Sequence, residues 1–179
     1  TAVHAVPADA NLGPLSLEIK FTGTPYYIPS EESGTWNVFS KILVTVDMPS
    51  PVAVTQNVSI TGTVVDNQLN PIPGHQVELE VEGILIALVT TDSEGAFSYD
   101  WTIPDIFSFG NHTMDATSPA QGFYRSSAGN TTFFLAHRSD VTIVFDDGRD
   151  ATRGDTWELS GRLFDIDTVN RDGLAGLMA

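Results

Sequence analysis

The residues that stand at a chemically usable spacing are oxygen ligands and asparagine acceptors. Asp165-Ile166-Asp167-Thr168-Val169-Asn170-Arg171-Asp172-Gly173 has the oxygen-rich spacing of a Ca²⁺ loop. Hard cations take several carboxylate and carbonyl oxygens, and glycine lets the chain wrap. Asp165, Asp167 and Asp172 are the candidate ligands, and calcium is the cofactor they would hold. No Glu closes the loop and no helical pattern flanks it, so the plainer reading is a solvated turn between two strands. Asp146-Asp147-Gly148-Arg149-Asp150 is a second acidic loop open to the same two readings. Three Asn-x-Ser/Thr triplets, at Asn57, Asn111 and Asn130, are acceptors for N-linked glycans. In the strand register read below, Val58 and Ile60 point inward and leave Asn57 outward. Met114 does the same for Asn111, and Asn130 is expected in a turn. Arg153-Gly154-Asp155 is an integrin-type tripeptide of a kind that recurs by chance.

No reaction centre is legible. His4, His75, His112 and His137 are scattered, with no metal-ligand spacing and no nucleophile motif beside them. Neither a Gly-x-Ser-x-Gly elbow nor a phosphate-binding glycine loop occurs. The expectation is a non-enzyme without an organic cofactor. Trp36, Trp101 and Trp157 could form a sugar platform, but Trp36 and Trp157 fall at positions read as inward, so core is expected.

Composition narrows the partners. The 179 residues carry 23 Asp+Glu against 8 Lys+Arg, a formal charge of -15. Such a surface cannot neutralise phosphates in number, which excludes nucleic acid, and it disfavours an anionic membrane. Cysteine is absent, which removes disulfides, thiolate metal sites and a cysteine nucleophile. The acidity fits a solvated surface or one adapted to salt and divalent cations. A hydrophobic content of 41% suffices for a core, yet no apolar run approaches the roughly 20 residues of a membrane-spanning helix. Thr1-Ala2-Val3-His4 lacks a basic and apolar leader, so a secretion signal would have been removed or lie further upstream.

An internal repeat organises the chain. Displaced by 97 residues, Gly13–Phe21 lies on Gly110–Ser118, Tyr26-Tyr27 on Phe123-Tyr124, Trp36 on Phe133 and Val44–Val46 on Val141–Ile143. With two residues inserted, Val58–Asp66 lies on Trp157–Asp165. The same apolar/polar alternation in register over such a span is the mark of a tandem unit. The unit at 42–138 is complete. Residues 1–41 read as the closing strands of a preceding unit and 139–179 as the opening strands of the next, so the chain is cut out of phase with its own repeats.

Within 42–138, short runs of period two alternate with turn chemistry such as Asn70-Pro71-Ile72-Pro73-Gly74 and Asp92-Ser93-Glu94-Gly95. Val77, Leu79 and Val81 interleave with Glu78, Glu80 and Glu82, a strand with one wet face. Ile84–Val89 is apolar throughout, which reads as a strand covered on both sides. Seven strands in about 97 residues predict an all-β, immunoglobulin-like seven-stranded β-sandwich. The unit holds no lysine, so no Lys–Asn isopeptide staple can form there.

Gly62-x-Val64-x-Asp66, Pro71-x-Pro73-Gly74, Thr91–Phe97 and Gly110-Asn111-His112 resemble the Ig-like repeats of archaeal and bacterial surface proteins. The resemblance implies an extracellular, non-catalytic segment at the cell surface: surface layer, stalk or filament. Its partners would be neighbouring copies of itself or adjacent repeats of a longer chain. The severed half-units would pair head-to-tail by strand complementation. The alternative is a Ca²⁺-dependent adhesin that binds glycans or a partner surface.

Overall fold

The computed structural model describes residues 5–145, 153 and 159–166, and every helix or strand among them is a strand. In chain order these are β1 (Gly13–Phe21), β2 (Ser30–Val38), β3 (Ile42–Asp47), β4 (Val52–Ala53), β5 (Asn57–Asp66), β6 (Gln76–Val81), β7 (Ile84–Thr90), β8 (Ala96–Thr102), β9 (Gly110–Ser118), β10 (Ser127–Ala136), β11 (Ser139–Phe145) and β12 (Leu159–Asp165). A three-stranded sheet has the order β3-β5-β8 and a five-stranded sheet the order β4-β10-β9-β6-β7. These two are the layers of a β-sandwich. β1-β2 and β11-β12 are separate two-stranded sheets.

Alternation explains the strands. Along β5, Val58, Ile60 and Val64 are buried while Asn57, Ser59 and Thr61 face water. Along β6, Val77, Leu79 and Val81 are wholly buried, with Glu78 and Glu80 half-buried between them. A period of two places successive side chains on opposite faces, so each strand contributes one apolar row. The turn before β8 is fixed by Asp92, whose Oδ1 accepts hydrogen bonds from the Glu94 and Ala96 amides at 2.8 and 3.0 Å. Gly95 in that turn has φ +72°, and a Cβ there would stand 2.7 Å from the Val64 carbonyl. Only glycine meets both conditions.

The chain divides into two compact units. In the first, which takes the chain up to Met48 with Ser59–Tyr99 and Thr113–Thr131, the core is built from Val44, Ile60, Val64, Val77, Leu79, Val81, Phe97, Met114 and Ala116. In the second, which includes Pro49–Val58 and Asp100–His112, it is an aromatic cluster. There the Trp101 ring meets Phe107 and Phe133 edge-on at 6.0 and 6.1 Å, and His112 stacks on Phe133 at 5.4 Å. β4 runs parallel to the end of β10 in this unit, pairing Val52 with Leu135 and Ala53 with Ala136.

Several expectations change. β7, read as covered on both faces, lies at the edge of the five-stranded sheet, with Ile84, Leu85 and Leu88 exposed. A run of apolar residues marks a strand but not its place in the sheet order. β4 adds a strand that no alternation announced. Asn130 lies inside β10 rather than in a turn. Trp36, read as core, is 64% exposed on the two-stranded sheet that β2 forms with β1.

Candidate modification and binding sites

The glycan acceptors fall on strands. Asn57 opens β5, Asn111 is the second residue of β9 and Asn130 lies in the first half of β10. All three side chains are exposed, and the hydroxyl positions Ser59, Thr113 and Thr132 are exposed, half-buried and exposed. Two residues before Asn111, the ring of Phe109 stacks on His137 with centroids 3.4 Å apart and planes 26° from parallel. The residues two before Asn57 and Asn130 are Thr55 and Ala128.

Of the calcium candidates, Asp165 ends β12, and Asp167 and Asp172 lie outside the described residues. So do the acidic stretch 146–150, Gly154, Asp155 and Trp157. Among the described residues no group of three or more His, Asp or Glu side chains is placed to hold a metal ion, and no helix is long and apolar enough to cross a membrane. The loop 66–70, which the sequence alignment of the chain with itself sets at the start of 165–173, is held by its own carboxylate. Asp66 Oδ1 accepts from the Gln68 and Asn70 amides at 2.8 Å each, and Oδ2 accepts from Asn70 Nδ2 at 3.0 Å. Burial pushes the Asp66 carboxyl up, but the hydrogen bonds from Asn70 and Gln68 outweigh it and leave the group below its ordinary value.

The histidines have structural surroundings. His112 is buried in the aromatic cluster, its Nε2 2.6 Å from the Ser108 carbonyl oxygen. His75 is buried beside Tyr124, ring centroids 5.7 Å apart, and its backbone amide donates to Thr91 Oγ1 at 2.9 Å. Thr91 Oγ1 in turn donates to the Ile72 carbonyl at 2.6 Å.

One feature escaped the reading of chemical motifs. β1 and β2 pair so that Leu15 stands opposite Trp36, and Leu17, Ile19 and Phe21 follow along the same face. Ile19 is 66% exposed, and Leu15 and Phe21 are exposed as well. The opposite face carries Lys20 between Glu18 at 2.9 Å and Glu31 at 3.6 Å. The signal was available in the repeat, which sets Trp36 on the buried Phe133 and Ile19 on the buried Ala116.

Residues 43–116 match the family described as bacterial Ig domain. No curated protein sequence matches the chain. Among solved structures, a CARDB domain from Pyrococcus furiosus aligns at 14% identity and TM-score 0.40, covering 55% of this chain and 96% of that one. A protein from Corynebacterium diphtheriae described as membrane-anchored aligns at 18% and 0.44, covering 69% and 31%. A tetra-tandem repeat from the extending region of a large adhesion protein aligns at 22% and 0.45, covering 87% and 40%. The chain thus spans less than half the length of the last two. The two-layered strand arrangement thus coincides, over 43–116, with a stretch that is similar to a bacterial Ig domain.

Proposed function

We propose that the chain is a non-catalytic structural segment of an extracellular bacterial or archaeal surface protein, and that it is a stretch of a tandem Ig-like array. The supporting observation is repeated geometry. β1 starts and ends 97 residues before β9, and β2 starts 97 residues before β10. The turn in which Thr24 and Tyr27 exchange backbone hydrogen bonds recurs at Gln121 and Tyr124. β11 pairs with β12 as β3 pairs with β5: Val141 opposite Leu163 repeats Val44 opposite Val64. This supports 1–41, 42–138 and 139–179 as the end of one repeat, a whole repeat and the start of another.

The apolar face of β1-β2 is then the inner face of a sandwich half, to be covered by an adjacent repeat or by a neighbouring copy. The cover differs in detail from that within 42–138. A Cβ on Gly129 in β10 would run into the Val44 carbonyl of β3, and Glu32 stands at the corresponding place in β2. The covering strand must stand further off there.

Protease shaving of intact producing cells tests the location: peptides of 43–116 should be released without lysis, and their retention overturns the surface assignment. Sedimentation velocity of the 179-residue chain tests the pairing of half-units. Association that rises with concentration and disappears in I19E and W36E is expected, and a monomer at every concentration removes complementation between copies. A Ca²⁺-dependent adhesin is the other reading and rests on the sequence of 165–173 alone.

A further inference from the structure

We infer that Asn111 carries an N-linked glycan whose first sugar packs on the ring of Phe109. The inference rests on the extracellular reading above for its biological meaning. All three acceptor asparagines are exposed, so exposure does not choose among them. What stands two residues earlier does. Thr55 and Ala128 offer no ring, whereas Phe109 is 43% exposed and lies one residue outside the strand in which Asn111 is second.

A pyranose has one face made largely of C–H bonds, which are weakly positive at hydrogen. The face of an aromatic ring is the negative part of its quadrupole, so the two surfaces pack favourably and both lose water. His137 stacks on Phe109, which limits the ring's freedom and lowers the entropy lost when a sugar settles against it. The third position here is Thr113, while Asn57 has Ser59. The exposed part of the Phe109 ring is otherwise left in water beside the start of β9, and a glycan on Asn111 would cover it.

The test is secretion of the 179-residue chain from a yeast that attaches N-linked glycans, followed by peptide mass spectrometry. Asn111 should be occupied in most molecules, and more fully than Asn57 or Asn130. The glycosylated protein should melt about 2–5 °C above N111Q from the same host, a shift in the range expected for one aromatic packing contact in a domain of this size. In F109A that difference should fall below about 1 °C, and F109Y should restore it. An unmodified Asn111 overturns the inference, as does a glycan-dependent shift that is the same in F109A. The yeast modifies a secreted acceptor wherever the chain naturally resides. Failure here therefore leaves the surface assignment standing, and cell shaving decides that separately.

Discussion

His75 is buried to 2% exposure, and its Nε2 has no hydrogen-bond partner among the described residues. A buried polar atom left without a partner costs roughly 1–3 kcal/mol. His75→Phe keeps a ring against Tyr124 and removes that atom, so its melting temperature should equal or exceed that of the parent. A lower one would show that the nitrogen has a role. Asp66 has the opposite balance. Its carboxylate accepts three hydrogen bonds within its own loop, and its pKa lies below the ordinary 3.8. A depressed carboxylate stabilises the fold fully above its unfolded value and loses that contribution as pH falls through the folded one. Chemical denaturation between pH 5 and pH 2 should therefore show a decline that is shallower in D66N, and equal slopes would contradict the assignment. The Asp66–Asn70 stretch was recognisable from its turn residues. The His75 nitrogen was not, because Tyr124, whose ring lies beside it, is far along the chain.

Two tryptophans show what governs strand packing. Trp101 in β8 is 6% exposed and meets Phe107 and Phe133, while Trp36 in β2 meets solvent. Trp101→Ala should cost about 3–5 kcal/mol in a urea or guanidinium titration, the usual loss for an emptied aromatic site. In protein dilute enough to be monomeric, Trp36→Ala should change the same transition by less than about 0.5 kcal/mol, as a surface substitution does. Equal losses would mean that Trp36 is covered in solution. Most strands of 42–138 were legible because alternation is local: β5, β6 and β9 carry it in their own residues. Sheet position is not local. Nothing within Ile84–Val89 says that no strand lies beyond it, and nothing in Val52-Ala53 announces a parallel partner more than eighty residues away. The glycan acceptors were legible as triplets, but Phe109 gained meaning only when its ring was seen exposed.

Net charge acts across the chain. With 23 acidic side chains against 8 lysines and arginines, folding gathers like charges, and that repulsion opposes compaction. The ion pairs of Lys20 with Glu18 and Glu31 are exposed and offset little of it. Added salt shortens the reach of the repulsion, from about 30 Å at 0.01 M to about 10 Å at 0.1 M. The melting temperature should consequently rise with NaCl, steeply at first and then level off, and a fall would show that the acidic surface does not govern stability. The same titration isolates the proposed calcium loop, because general screening depends on ionic strength and a bound ion on identity. MgCl₂ and CaCl₂ at matched ionic strength should raise the melting temperature alike if screening is the whole effect. A Ca²⁺-specific increment, removed by chelator, is expected if Asp165, Asp167 and Asp172 hold the ion in the folded state alone. It should also vanish in D167N and D172N while the NaCl response persists. An increment that survives both substitutions would place calcium elsewhere, and no increment would remove the adhesin reading along with the ion.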